Sequence, residues 1–438
     1  MADGSERVRV LLVIEQCNPE WPSVPLVGYQ FYRHIAELAD VTLITHARNE
    51  RALRARHPGA DLVVVAESAI LALWHKIATR LSTIGRSTIW PLYHTLTYPT
   101  YAEFDRKVLR LLGRRILRGE FDVVHVITPM MPRYPYSVRK VCGSTPLIIG
   151  PVNGGVHYPA SFAKVAKSEF SFLNWLRTAG RHLLAGYRET YETADYVYSG
   201  SQHTKELLES LFKLKREVVV LAENGLEATF FSNAPFEKAR ETLEILFVGR
   251  LVPYKCADIA IDALASLPPA LQTRARLTIV GDGPERAALE ARAQTAGVAP
   301  MVRFPGWVSQ QGTLTYYRSA DVFCFPSIRE FGGAVVLEAM ANSLPCIVVN
   351  NGGVAEYVTE AAGFKIEPLS REHVVSQVAL ALQRFIEEPR LRQSMGMSAR
   401  ARARHYAWPG KAQSIVATYR ALLAERGDSC QPSREPVA

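Results

Sequence analysis

The amino-acid sequence predicts two doubly wound α/β domains facing each other across a cleft. Short β-rich runs alternate with helical stretches along nearly the whole chain, the pattern of parallel sheets covered on both faces. The alternation falls into two series, each long enough for its own core. The 438 residues also exceed the ~100–150 of one typical domain.

In the first series, strands are predicted at residues 8–14, 41–46, 61–65, 122–128, 146–149, 195–199 and 218–221. Helices fit between them, for example at 30–38 and 104–117. In the latter, Phe104, Val108, Leu111 and Leu112 share one face and Arg106, Arg110 and Arg114 another. The second series places strands at 244–248, 277–280, 302–304, 322–325, 346–349 and 364–366. Its helices fit at 257–266, 284–294, 310–318 and 334–341. These spans give a first domain at 1–222 with a basic, aromatic insert at about 66–121. A linker at 223–243 follows, containing the turn dipeptide Asn224-Gly225. The second domain is expected at 244–405, a last helix within 406–426, and a polar, disordered tail at 427–438.

Hydrophobic residues make up 48% and charged residues 21%, the balance of a soluble globular protein. The six cysteines have no CxxC pair and no Cys/His ligand spacing, which argues against a disulfide scaffold or zinc ribbon. No apolar run approaches the ~18 residues of a membrane span. The first residues lack the basic and apolar parts of a secretory signal. A cytoplasmic location is therefore expected.

The net charge of +9 is local. Residues 71–140 carry twelve basic and four acidic side chains, interleaved with Trp74, Trp90, Tyr93, Tyr98 and leucines. This mixture fits contact with an anionic membrane surface, at the inner face of the cytoplasmic membrane. The plainer alternative is an arginine-rich solvated helix. No helix-turn-helix or RNA-binding signature accompanies the charge, so nucleic acid is not an expected partner.

The chemistry concentrates in loops after strands of the second series. Gly249-Arg250-Leu251-Val252-Pro253-Tyr254-Lys255 brings two cations around a tight loop. Arg offers phosphate a fixed fork and Lys a point charge. Gly281-Asp282-Gly283-Pro284 allows close backbone approach before a helix. Glu330-Phe331-Gly332-Gly333 precedes an apolar helical run, where free N–H groups and the helix dipole make an anion site. Glu338 lies ~7–8 Å further along that helix at 1.5 Å per residue and leans back toward its start. A diphosphate at the helix start leaves Glu338 within reach of ribose hydroxyls, with Glu330 on the opposite side, near an attached sugar. Asn350-Asn351-Gly352-Gly353 repeats the strand, glycine pair and helix order. Each piece alone also reads as an ordinary turn or a paired buried acid.

Taken together, in this order and spacing, these segments resemble the retaining glycosyltransferases of family 4. The G-R-x4-K stretch, Gly281–Pro284, Pro326-Ser327, the E-x7-E pair Glu330/Glu338, Glu338-Ala339-Met340-Ala341 and Gly352-Gly353 carry the resemblance densely over about 243–368. Tyr406-Ala407-Trp408 is similar to the family's entry into a helix that crosses back to the first domain. The resemblance implies the GT-B architecture, two Rossmann-like domains across a cleft. It also implies transfer of a hexose-type sugar from a UDP or GDP donor to a lipid-linked or glycan acceptor, keeping the anomeric configuration, as in polysaccharide or glycolipid synthesis.

By that resemblance, Arg250 and Lys255 neutralise the departing diphosphate and Glu330 contacts the transferred sugar, so these three are the expected catalytic residues. Gly28, Gly249, Gly281, Asp282, Gly306, Val308, Phe331, Gly332, Gly333 and Glu338 join them in binding the donor. Gly306-Trp307-Val308 would meet the base and Glu338 the ribose. No D-x-D stretch occurs, so neither a catalytic metal nor a cofactor beyond the nucleotide-sugar substrate is expected. The first half departs from the family pattern. Gly28 stands alone where a glycine pair usually follows the first strand. Asn153 occupies roughly the place of a usual His, with His157 four residues on; both are expected on the acceptor side. The usual Pro before Asn224-Gly225 is Glu223, a change with little expected bearing on function. His125, inside a strand, reads as structural. A nucleotide-sugar epimerase or phosphorylase on the same architecture, a nicotinamide-dependent oxidoreductase and a non-catalytic membrane-bound partner are the rival readings.

Overall fold

The computed structural model describes residues 7–84, 87–231 and 241–429. Among them run fifteen strands. Those of the first half are β1 (Arg9–Ile14), β2 (Asp40–His46), β3 (Asp61–Val65), β4 (Thr83–Ile84), β5 (Ser87–Thr88), β6 (Val123–Thr128), β7 (Leu147–Val152), β8 (Tyr196–Ser199) and β9 (Val219–Val220). Those of the second half are β10 (Leu243–Val248), β11 (Ala275–Val280), β12 (Val302–Gly306), β13 (Val322–Phe325), β14 (Cys346–Val349) and β15 (Gly363–Ile366). Every predicted strand is present. The antiparallel β4–β5 ribbon was not predicted, because two-residue strands carry too little periodicity.

Two parallel sheets result. The first has the order β3-β2-β1-β6-β7-β8-β9 and the second β12-β11-β10-β13-β14-β15. Strand order reverses between β1 and β6 in one sheet and between β10 and β13 in the other. Ligands on such sheets bind beyond the carboxyl ends of the strands at these reversals. In the second sheet, the loops that leave this point are those holding Arg250 and Lys255, after β10, and Glu330, after β13.

Each sheet is buried on both faces. Val10, Leu12, Val123 and Ile148 line one face of the first sheet, against helix Val24–Ala36 and the last helix. Leu11, Val124, Val126 and Ile149 line the other, against Phe104, Val108 and Leu112. The second sheet buries Ile245, Phe247, Leu277, Phe323, Phe325 and Ile347. The last helix, Trp408–Ser429, grows from the second half but packs Trp408, Ile415, Val416 and Tyr419 on the first sheet. It runs three residues past its expected end at 426. The remainder of the expected tail (430–438), the first six residues, Arg86, Cys430 and linker residues 232–240 lie outside the described residues.

Several details differ from expectation. Gly28 is not in the loop after β1. It lies inside helix Val24–Ala36, which Pro25 lets begin six residues earlier than predicted. A Cβ there would collide with the Gln16 carbonyl, so Gly28 allows the helix to press on the β1 exit loop. Leu111 does not share the buried face of Phe104, Val108 and Leu112, and is 45% exposed. Residues 71–140 do not form one surface: β6, within them, is wholly buried. His125 sits fully buried in β6, between the Tyr419 hydroxyl at 2.6 Å and the Gly150 carbonyl at 2.7 Å. Burial lowers its pKa to about 4, so it is a neutral, structural histidine. Cys17, Cys142, Cys256, Cys324 and Cys346 are buried and unpaired.

Candidate functional site

The site is built from loops at the carboxyl end of the second sheet. Gly249 follows β10 and Gly281 follows β11 at a φ of +139°. A Cβ on Gly281 would strike the Gly249 carbonyl, and one on Gly283 the Leu251 carbonyl. Leu251 N donates to the Asp282 carbonyl at 2.9 Å, and Gly281 N to the Gly306 carbonyl at 2.9 Å. The three loops after β10, β11 and β12 are thus laced together by backbone hydrogen bonds that side chains would block. The Asp282 side chain is exposed and accepts from the N–H of Gly283 at 2.7 Å, closing a local turn. Trp307 is exposed and Val308 half-buried.

The two predicted cations behave differently. Lys255 donates through Nζ to Glu330 Oε2, with both side chains largely buried. Its ammonium also lies 4.8 Å from the Phe325 ring centre. Ser327 Oγ donates to the same carboxylate oxygen at 3.4 Å. Arg250 is exposed, and its charge is felt by Glu169 of the first half, whose pKa burial raises and Arg250 brings back down.

Glu330 is held at the backbone as well. Gly353 N donates to its carbonyl at 3.1 Å, and Glu330 forms a parallel bridge with Gly352. Gly352 and Gly333 both have positive φ, at +81° and +48°, so the two glycine pairs form one folded unit. Gly333 opens helix Ala334–Ala341 with no side chain capping it. The first N–H groups of that helix therefore have no side-chain acceptor of their own.

Glu338 is buried one turn into this helix. Gln310 Nε2 donates to one carboxylate oxygen at 2.8 Å and Tyr317 OH to the other at 2.9 Å. Burial raises its pKa and these two donors pull it back. Its carboxyl is thereby aimed at the segment following Gly306-Trp307-Val308. Tyr317 and Gln310, on helix Gln310–Ser319, were not anticipated. Their spacing of seven on one helix was the available signal.

Across the cleft, Asn153 follows β7 and is buried. Its Oδ1 accepts from Thr204 Oγ1 at 3.0 Å and Ser201 Oγ at 3.3 Å. His157 is exposed. Its ring meets His203 edge-on at 5.8 Å, and its carbonyl accepts from Asn351 Nδ2 of the second half at 2.9 Å. Arg329 reaches from the second half to the Val156 carbonyl at 2.9 Å and lies over the rings of Tyr158 and Phe331. Phe331 therefore packs beneath an interdomain cation.

The linker supplies what sequence reasoning set aside. Lys411 of the last helix is buried and donates through Nζ to the carbonyls of Ala222 and Asn224, the latter at 2.6 Å. Between these two anchored residues stands Glu223. A Cβ on Gly332 would collide with Glu223 Oε1 and with Asn224 Nδ2. Burial pushes the Glu223 pKa up to about 7; the nearby Glu330 carboxylate adds to the rise, while the Asn153 amide and Lys411 oppose it. Burial also lowers the Lys411 pKa to about 7, against the pull of Glu223. The structure thus brings Lys255, Glu330, Gly332, Glu223 and Asn153 together. Gly28 instead packs on the β1 exit loop, Asp282 closes its own turn, and the His157 carbonyl is held by Asn351.

Comparison with known proteins adds context to this geometry. A family model described as "Glycosyl transferases group 1" matches residues 230–402. A protein from Geodermatophilus obscurus named D-inositol 3-phosphate glycosyltransferase is 30% identical over 331 residues, covering 72% of this chain and 69% of that protein. One of the same name from Kribbella flavida is 29% identical over 253 residues, covering 54% of this chain and 59% of that protein. The chain thus spans less than two thirds of the Kribbella protein. Anabaena HepE, solved in complex with UDP, superposes with a TM-score of 0.61 at 16% identity, covering 94% of this chain and 100% of that one.

Proposed function

The chain belongs to the group 1 glycosyl transferases and has the GT-B fold, and from that starting point we propose that it is a retaining, metal-independent hexosyltransferase of family 4. Its donor is a UDP- or GDP-sugar, and its acceptor a lipid-linked or other glycan. The observation that carries the reading is the Lys255–Glu330 ion pair, set where strand order reverses in the second sheet and beside the uncapped start of helix Ala334–Ala341. The donor diphosphate lies on the N–H groups of that helix start, between Arg250 and Lys255. As the bond to the sugar breaks, charge grows on the leaving phosphate, and fixed cations stabilise it without reorganisation. Lys255 then exchanges part of its bond to Glu330 for the phosphate, freeing Glu330 to accept from sugar hydroxyls. Gly249, Gly281 and Asp282 form the floor beneath the nucleotide. Gly306 and Val308 meet the base, Glu338 the ribose, and Phe331 the sugar side. The acceptor enters on the His157 side of Asn153, which stands at the border between acceptor and donor sugar.

The acceptor class agrees with the outer face of the first domain. Helix Ala69–Leu81 exposes Ile70, Leu73, Ile77 and Leu81 beside exposed Lys76 and Arg80, with Ile84 and Trp90 next to them. Apolar anchors among cations suit an anionic bilayer. We place the enzyme in the cytoplasm, peripheral to the inner face of the membrane.

A thermal-shift panel of UDP-, GDP- and ADP-sugars selects the donor, since a ligand of the folded state raises the melting temperature by mass action. With that donor, Lys255→Ala and Glu330→Ala should each lower turnover by about 10²–10³-fold, as loss of a preorganised charge-stabilising group does. Both variants should keep wild-type circular dichroism. Unchanged turnover in both removes the assignment.

A further inference from the structure

We propose that the Glu223 carboxyl and the Asn153 amide form a second hydroxyl-reading wall of the donor pocket, opposite Glu330, and contact the sugar that is transferred. The inference rests on the donor site proposed above and adds a residue that the motifs leave out.

The placement comes first. Glu223 belongs to the linker between the sheets, yet it is half-buried rather than exposed as linker residues usually are. Lys411 fixes the carbonyls on either side of it, so its backbone is held. Its carboxyl rests on Gly332, inside the loop that carries Glu330. A side chain at position 332 would displace the Glu223 carboxyl and the Asn224 amide.

Charge decides what kind of group belongs there. Two carboxyls, Glu223 and Glu330, act on each other across this spot. A phosphate placed there would be repelled by the Glu330 carboxylate, so the spot suits a hydroxyl better than the diphosphate. Hydroxyls suit it, because they donate to carboxyl oxygens and also accept. The donor for that second role is present. Among the described residues, Asn153 Nδ2 is buried, carries two N–H donors and has no partner beyond the Glu223 carboxyl beside it. A buried donor left unpaired is costly, and a ligand hydroxyl accepting from Nδ2 removes that cost. The wall therefore presents an amide donor and a carboxyl side by side, within electrostatic range of Glu330 and its partner Lys255. Vicinal hydroxyls of a sugar ring match such an array. Contact from both sides also gives the sugar a means to draw the two domains together.

The test separates sugar from nucleotide. Calorimetric titration of the full chain with UDP, UDP-glucose, GDP and GDP-mannose identifies the pair that wild type binds. Glu223→Ala should then weaken the nucleotide sugar by about tenfold or more, with the nucleoside diphosphate held within threefold or tightened. Glu223→Gln, which keeps the size and one acceptor oxygen but replaces the other with an N–H donor, should lose less. It also reads the same ratio if the alanine variant lacks a melting transition. Equal losses for nucleotide and nucleotide sugar, or no loss for either, overturn the assignment. A wild-type protein that binds none of the four overturns the donor-site reading itself, and this assignment with it.

Discussion

Glu223 shows most clearly how the surroundings of one residue lie beyond what the sequence displays. In the linear chain it is an acid before an Asn-Gly turn. In the fold it is a carboxyl between two domains, packed on Gly332 and facing Asn153, Glu330, Lys411 and Tyr357. Its folded pKa, about 7, stands above the ordinary 4.5. Folding therefore favours its protonated form. The stability it contributes is full below about pH 4.5 and is lost as pH rises toward 7. Glu223→Gln cannot lose that contribution. Its melting temperature relative to wild type should rise by about 2 °C or more from pH 5.5 to pH 8.5, the scale of roughly 1 kcal/mol in a chain of this size. A flat difference across that range would mean the carboxyl titrates normally. Glu338 makes the opposite case. Its position in the E-x7-E pair was readable, but its partners Gln310 and Tyr317 were not, because they come from a helix more than twenty residues earlier.

At the scale of elements, the glycine pairs and the strands framing them were all visible as sequence. What was not visible is that Gly332-Gly333 and Gly352-Gly353 lock into each other. A Cβ on Gly352 would collide with the Glu330 carbonyl, and its φ is +81°. Gly297 has a similar φ of +74° but open space around it. Gly297→Ala should therefore cost only the left-handed backbone term, about 1–2 kcal/mol, and leave activity alone. Gly352→Ala should cost more than that, by about 1–3 kcal/mol for the overpacking, and should move Glu330 enough to reduce transfer sharply. Chemical denaturation and initial rates of the two variants give the comparison. Equal stability losses with equal activities would show that the loops do not depend on each other. The helix predicted from residue 30 shows a lesser limit. Pro25 at its start was in view, but an apolar run broken by Gly28 hid the first turn.

Across the whole molecule, the last helix ties the halves together. Trp408 packs on Phe31 edge-on at 5.0 Å and over Gly225, while Lys411 holds the linker. Among the described residues, no helix is long and apolar enough to cross a membrane; the lipid contact we propose is made by a surface. The exposed apolar side of helix Ala69–Leu81 is that surface in our reading. Each apolar Å² taken from water is worth about 25 cal/mol, so a few side chains suffice for reversible attachment. Flotation with vesicles containing anionic lipid should carry the wild-type chain upward. The double variant Ile77→Glu and Leu81→Glu should stay behind, with donor binding intact. Equal flotation of both proteins would move the contact elsewhere.

Local pattern was enough for the strands, the two-sheet plan and the order of the glycine-rich loops, because each of these depends on residues close together in the chain. Hydrophobic alternation selects a buried parallel strand, and a glycine pair before an apolar run opens a helix start, whatever else the protein contains. The composition of the site wall required the tertiary fold. Glu223, Asn153, Glu330 and Lys411 are separated by tens to hundreds of positions, and only the strand reversals and the returning helix bring their charges within range of one another. Charge and burial act through space, so the protonation of Glu223 and Lys411 and the contact of Gly332 with Glu223 exist only once the chain has closed on itself.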